Sequence, residues 1–212
     1  MTPQITPPAK VGTAHRVFWF ALSLILMGLA TLGVSRPAQA QTVWDVAGGY
    51  AHSCVVRDGK VFCLGFLESL GQGQNPPQAK SASFVDTPHE VSKANGYVNE
   101  NIIKIASGYR HTCAIQGDSL SDTSGVLYCW GTNKYETGLT VNHIIGVIGD
   151  GTTDTAYVPK KVSAAAGFTN TAVTDVVTGY RHTCAVEAGV MYCWGNNLSG
   201  PLGDGTGIPY SN

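Results

Sequence analysis

An all-β fold built from a repeated unit is predicted for this chain, and three observations predict it. The frame GYRHTCAVEAGVMYCWG at Gly179–Gly195 recurs as GYRHTCAIQGDSLSDTSGVLYCWG at Gly108–Gly131 and as GYAHSCVVRDGKVFCLG at Gly49–Gly65. Repetition at a period of tens of residues means one small unit is stacked on itself; successive histidines are 59 residues apart (His52 to His111) and then 71 (His111 to His182). Each copy carries two β-rich runs around a turn, and nothing beyond the N-terminus sustains a 3.6-residue apolar period. All six cysteines fall inside the copies, two in each.

The first two strands of each unit form a hairpin. Asp58-Gly59 in copy one is a type I′ turn signal, and Ala188-Gly189 takes its place in copy three. Counting outward pairs Arg57 with Lys60, Val56 with Val61, Val55 with Phe62 and Cys54 with Cys63. The cysteines then fall at a non-hydrogen-bonded position, where Cα atoms approach to about 4.5 Å, close enough for a disulfide. The same count gives Cys184–Cys193, and Cys113–Cys129 once the loop from Gln116 to Gly125 is treated as an insertion at the tip. One pair further on, His52, His111 and His182 face Gly65, Gly131 and Gly195, and these glycines are expected to leave room for the imidazoles. On the other face Tyr192 meets Ala185, Trp194 meets Thr183, Tyr128 meets Ala114 and Trp130 meets Thr112. Large stands opposite small on every rung, so a slip of one residue would break the whole register.

A turn-rich connector follows, GNNLSGPLGDGT in copy three, with GDGT at Gly149–Thr152 in copy two. A proline then opens a short strand, Thr87-Pro88-His89-Glu90-Val91 in copy one and Val158-Pro159-Lys160-Lys161-Val162 in copy two. An alternating run leads to the next copy, with Val46, Ile105 and Val176 at matching positions. Three or four short strands per unit result.

The residues GYRHTCAV, YCWGNN, LGDGT and the following proline resemble the repeat of the family named after the regulator of chromosome condensation (RCC1). The resemblance runs from Val43 to the C-terminus, about four fifths of the chain. It implies a β-propeller, typically of about seven four-stranded blades. It implies no single function, since members include a nuclear exchange factor for a small GTPase, a plant ultraviolet receptor and a secreted β-lactamase inhibitor. Paired cysteines depart from the nuclear members and look like secreted bacterial ones. Copy one departs by Leu64 in place of tryptophan and by Leu70-Gly71-Gln72-Gly73 in place of LGDG. The repeats are placed at about 43–102, 103–173 and 174–212. The last stops at Ile208-Pro209-Tyr210-Ser211-Asn212, where copy two continues into its proline-led strand. About two and a half repeats are too few to close a propeller of roughly four to eight blades, so the chain reads as part of a longer one.

Residues 1–40 combine Lys10, His15 and Arg16 with an apolar run from Val17 to Val34 and the small residues Ala38 and Ala40. This is a secretory signal with cleavage after Ala40; the competing reading is an uncleaved anchor, the only route by which the chain would meet a membrane. Export to an oxidising compartment suits six paired thiols. Cleavage leaves residues 41–212, one domain by length. It removes three basic residues and no acidic ones, leaving ten basic against fourteen acidic and a net charge of −4. There is no basic stripe and no nucleic-acid signature.

Candidate sites are few. His52-Ser-Cys54, His111-Thr-Cys113 and His182-Thr-Cys184 place imidazole and sulfur on one face, but a disulfide sulfur is no thiolate ligand. One carboxylate among glycines, Asp150 or Asp204, makes a turn rather than a calcium cage. Asn197-Leu198-Ser199 is a glycosylation sequon. No nucleophile, phosphate-loop or zinc-protease motif occurs, so no catalytic, metal or cofactor residue is assigned. Copy two carries both large insertions, Gln116 to Gly125 and Lys134 to Ile148. The second contains Ile144, Ile145, Val147 and Ile148, which either pack on their own blade or form an apolar contact for a partner. The expected function is an exported, non-catalytic module that binds an unknown protein partner through blade loops. The alternative is part of a secreted enzyme or carbohydrate-binding propeller whose site lies in other blades.

Overall fold

The computed structural model describes residues 45–73, 84–135, 143–144, 146–165, 167–197, 199–205 and 210–211; the expected leader lies outside them. Contacts separate Met1–Gln39 from Ala40–Asn212, and the blades belong to the second unit. The strands in chain order are β1 Asp45–Gly48, β2 His52–Arg57, β3 Lys60–Phe66, β4 Phe84–Glu90, β5 Ile102–Ser107, β6 His111–Gln116 and β7 Val126–Gly131. They continue as β8 Lys134–Tyr135, β9 His143–Ile144, β10 Ala156–Lys161, β11 Val173–Thr178, β12 His182–Glu187, β13 Val190–Asn196 and β14 Tyr210–Ser211. One 3₁₀ turn, Leu67–Ser69, is the lone helical element among the described residues.

Three antiparallel four-stranded sheets result, β1-β2-β3-β4, β5-β6-β7-β10 and β11-β12-β13-β14, with β8 and β9 as a separate ribbon. Each is a four-stranded antiparallel blade of the kind the repeat implies. The central hairpins have the register read from the sequence: Cys54 faces Cys63, Cys113 faces Cys129 and Cys184 faces Cys193. All three pairs are bonded, with Cα atoms 4.1 Å apart. At the tips Asp58 and Gly59 have φ of 52° and 72°, and Ala188 and Gly189 have 52° and 77°, the double positive φ of a type I′ turn. In blade two Gln116 faces Val126, which places the first insertion at the hairpin tip.

The prolines do not open the fourth strands. β4 begins at Phe84 and β10 at Ala156, ahead of Pro88 and Pro159. Each proline sits in a register shift, between Val85 and His89 or between Ala156 and Lys160. A ring without N–H is tolerated there, on the outermost strand and at a bulge.

The two faces of a blade bury against different neighbours. β1 and β2 pack on β5, and β5 and β6 pack on β11. The cysteine and histidine face of one blade meets the threonine, tyrosine and tryptophan face of the next, as the 3.8 Å approach of Cys54 Sγ to Thr112 Oγ1 shows. Trp130, Tyr97, Ile102, Ile115, Leu127 and His111 are fully buried. A centrally placed blade therefore needs packed side chains on both faces, which explains the large-small pairing.

Candidate interaction surface

The histidines join blades rather than bind metal. His52 Nε2 lies 2.8 Å from Thr112 Oγ1, and His111 Nε2 lies 3.1 Å from Thr183 Oγ1, each pair crossing to the next blade. Thr183 gives its one hydroxyl proton to the Val147 carbonyl at 2.9 Å. His111 must therefore donate from Nε2–H, which fixes its tautomer. Burial lowers the pKa of His52 to about 4 and that of His111 to about 3, with the nearby charges of His52 and His182 adding to the burial of His111. Burial also lowers His182.

The glycine that accommodates each imidazole is not the one opposite it. A Cβ on Gly49, Gly108 or Gly179 would fall 2.3, 2.4 or 2.0 Å from the Cε1 of His52, His111 or His182. The Gly49 and Gly108 positions would also strike the carbonyl of the equivalent glycine in the next blade. Gly65, Gly131 and Gly195 serve a backbone purpose instead. Their φ of 109°, 116° and 108° lets the following N–H reach the carbonyl before the histidine, Phe66 to Ala51, Thr132 to Arg110 and Asn196 to Arg181.

The apolar end of the second insertion is core. Val147 and Ile148 are fully buried, which removes them from the expected contact set; Ile145 and the side chain of Ile144 lie outside the described residues. Ile148-Gly149 is the counterpart of Leu70-Gly71 and Leu202-Gly203, and Leu70 and Leu202 are buried as well. The tryptophan of the next blade docks on this step. Trp130 Nε1 donates to the Ser69 carbonyl and Trp194 Nε1 to the Val147 carbonyl, each at 3.0 Å. The insertion thus ends before the repeat's own apolar-glycine pair.

Several structural residues escaped the sequence reading. Asn99 and Asn170, each twelve residues before a histidine, are fully buried. Asn99 accepts from Val61 N–H and Asn170 from Leu127 N–H, while their amides donate back to the same residues' carbonyls. Asn133 and Asn197, three residues after each Trp130 and Trp194 position, hold the connectors through Ile148 N–H and Leu202 N–H. Asn197 is fully buried and also donates to Asp204, so the sequon asparagine is committed to the fold. Asp150 Oδ1 accepts from both the N–H and hydroxyl of Thr152, the turn expected for GDGT. The equal spacings were the available signal.

Glu187 closes β12 by accepting hydrogen bonds from the N–H groups of Thr169, Thr171 and Ala172 and from the Thr169 hydroxyl. Burial alone would raise its carboxyl; these bonds outweigh it and hold the pKa at about 2. A cavity of about 240 Å³ lies beside Trp194, lined by Phe168, Tyr192, Val162, Ser163 and connector glycines, with no carboxylate or imidazole in its wall.

Among the described residues an aromatic stack, exposed at its two ends and half-buried at Tyr109, lies on the turns of the G-Y-[AR]-H motif, between the first and second strands of each blade. The Tyr50 and Tyr109 ring centroids are 4.6 Å apart, and those of Tyr109 and Tyr180 are 4.3 Å apart. Tyr50 is 71% exposed and Tyr180 57%. The Arg110 guanidinium lies 4.5 Å from the Phe66 ring and 5.2 Å from Tyr109, and that of Arg181 lies 5.1 Å from Tyr180. A rigid step of three rings and two cations therefore runs across three blades.

No protein-family model matches the chain. It is 31% identical over 167 residues to the ultraviolet-B receptor UVR8 of Arabidopsis thaliana, covering 77% of this chain and 31% of that protein. It is 28% identical over 195 residues to the bovine (Bos taurus) secretion-regulating guanine nucleotide exchange factor, covering 87% and 38%. With the human (Homo sapiens) E3 ubiquitin-protein ligase HERC2 it shares 26% over 174 residues, 79% of this chain and 3% of that one. The chain thus spans well under half the length of the curated relatives it matches. Among solved structures, Prp20p of Saccharomyces cerevisiae superposes with a TM-score of 0.52 at 20% identity, over 84% of this chain and 40% of that one. Yeast RCC1 (Prp20) bound to Kap60 gives 0.50 at 21% identity, over 84% and 38%. Repeat motif, hairpin register and blade topology agree with these likenesses, and the chain belongs to the RCC1-type repeat proteins.

Proposed function

We propose that this chain is an exported, non-catalytic protein-binding module whose contact surface is the rim carrying Tyr50, Tyr109, Tyr180, Arg110 and Arg181. The observation that carries the reading is the tyrosine stack, exposed at Tyr50 and Tyr180. Tyrosine and arginine dominate the buried centres of protein interfaces because they bring large contact area with little conformational freedom to lose. Here the stack is fixed by backbone bonds of the scaffold, Gly49 N–H to the His52 carbonyl and Gly108 N–H to the His111 carbonyl, each 2.9 Å. Yeast Prp20p, seen bound to Kap60 and characterised for its binding to Gsp1p and histones, supports protein binding as the use of such blades. Export is supported by the leader's composition and by three closed disulfides, which suit an oxidising compartment. Among the described residues no helix is long and apolar enough to cross a membrane.

A photo-crosslinking amino acid placed at Tyr50 tests this, with the same group at Val190 on the outer hairpin as control. The expected result is a protein adduct from Tyr50 only, suppressed by excess unlabelled wild-type chain and not by the Tyr109→Ala chain. Absence of an adduct, or equal adducts from both positions, overturns the assignment of the rim.

A further inference from the structure

We propose that the rim selects an acidic partner segment, with a carboxylate on Arg110 and flat or apolar side chains on the tyrosine stack. This rests on the rim being the protein-binding surface and adds the chemistry of what binds there. Beyond residue 40 the chain has three arginines, Arg57, Arg110 and Arg181, and two of them occupy the same place in successive G-Y-R-H turns. Arg57 lies 3.9 Å from its neighbour Asp58, and Lys60, Lys93, Lys104 and Lys134 each face a carboxylate. Among the described residues Arg110 has no carboxylate partner, and its Nε is buried without a hydrogen-bond acceptor. Glu68, on the connector beside it, is engaged by the Thr132 hydroxyl at 3.0 Å.

The base of Arg110 is held firmly. Its carbonyl accepts from Thr132 N–H at 2.8 Å and from the Ser69 hydroxyl at 3.0 Å, so the guanidinium is presented from a fixed point. Packing against Phe66 and Tyr109 holds its plane, and with Nε buried the terminal Nη N–H groups are left as the way to bind. Guanidinium is weakly hydrated, planar and matched to the two oxygens of a carboxylate, so little is lost when water leaves it. A chain that is otherwise acidic, with fourteen Asp and Glu in all, gathers these cations on one aromatic step. Charge complementarity there favours a carboxylate-rich peptide, and the exposed rings favour one with aromatic or apolar residues between the acids.

Fluorescence anisotropy of the purified secreted chain tests the proposal with two labelled peptides. One is made of repeated Glu-Tyr-Gly triplets and the other has glutamine in place of every glutamate. Binding of the glutamate peptide is expected to be at least about tenfold tighter, and to lose about that factor in Arg110→Ala. It should weaken between about 0.1 M and 1 M salt, where the screening length falls from ~10 to ~3 Å. Arg110→Lys should fall between wild type and alanine. Circular dichroism and non-reducing peptide maps of each variant establish that the blades are intact. Equal binding of the two peptides, binding of neither, or an Arg110→Ala chain that binds as well as wild type overturns the proposal. So does preferential binding of a neutral oligosaccharide or of single-stranded DNA. A crosslinked protein partner at Tyr50 combined with any of these outcomes would keep the rim as a protein site and remove only its acidic selectivity.

Discussion

The Nε2 of His111 lies 3.1 Å from the hydroxyl of Thr183 in the next blade, and the proton of that hydroxyl goes to the Val147 carbonyl. A side chain of β6, a side chain of β12 and the connector between them are thereby tied together inside the core. His52 and Thr112 repeat the joint one blade earlier. The blades are held in sequence by neutral imidazoles, and that makes the assembly sensitive to protons.

Stability should therefore decline on mild acidification. The folded-state pKa values of about 4 for His52 and about 3 for His111 lie below the ordinary imidazole value of about 6.5. The unfolded chain takes up protons first, so stability is complete above about pH 6.5 and falls as pH drops toward the folded values. Each histidine contributes a slope of about 1.4 kcal/mol per pH unit inside that window. Urea midpoints measured from pH 7 to 4 check it, and His111→Gln, which keeps a donor near the Nε2 position, should flatten the slope. A midpoint unchanged between pH 7 and 5 contradicts the neutral joint.

Glu187 acts in a separate, lower window. Its folded pKa of about 2 lies below the ordinary carboxylate value, so its contribution is present above about pH 4.5 and is lost as pH falls toward 2. Glu187→Gln keeps one acceptor and drops the charge; a loss of about 1–3 kcal/mol at neutral pH is expected by denaturant titration. No loss would mean the loop at Thr169–Ala172 orders itself without the carboxylate.

Ile148→Ala should cost about 2–5 kcal/mol, the range for emptying a packed aliphatic site. Tyr50→Ala, on the exposed rim, should stay within about 1 kcal/mol. Thermal melts of the two variants separate core from surface directly. An Ile148→Ala melt matching wild type would return that residue to the contact loop.

Backbone geometry yields a paired test. Gly108→Ala puts a Cβ 2.4 Å from both the His111 ring and the Gly179 carbonyl, where rigid neighbours cannot retreat, and should destabilise by more than about 2 kcal/mol. Ala188→Asn relieves a left-handed alanine at φ 52° and should stabilise by several tenths to about 1 kcal/mol. Opposite signs are expected in the same denaturant assay; a tolerated Gly108→Ala would show that the blades can spread.

Export and processing are checked together by sequencing protein recovered outside the cell, which is expected to begin at Gln41. Non-reducing peptide maps of the same material should contain Cys54–Cys63, Cys113–Cys129 and Cys184–Cys193, with no link between blades. An intact Met1 chain recovered from membranes would replace the cleaved leader with an anchor.

Local rules were legible because their causes are local. The turn dipeptides, the cross-strand cysteine pairs and the large-small rungs are set by residues close in sequence, and period-two alternation with a tight turn leaves one register that satisfies them all. Repetition then carried that register from one copy to the others. The proline-led strands came out displaced because a bulge depends on how β3 and β7 pair with a distant partner. Ile148 reads as part of an insertion because its apolar neighbours stand out in a polar loop; its counterparts Leu70 and Leu202 become evident once Trp194 docks on Val147.

What the sequence determined by itself is the all-β hairpin repeat, its register and its disulfides, since nearest-neighbour geometry suffices for each. Tertiary structure alone decided which glycine shelters each histidine, which residues are joints and which tyrosines are exposed. Those outcomes depend on one blade meeting the next across roughly sixty residues of sequence, a distance at which no local spacing specifies contact. The rim belongs to this second class: Tyr50, Tyr109 and Tyr180 are far apart along the chain and become one surface only when three blades bring their first turns together.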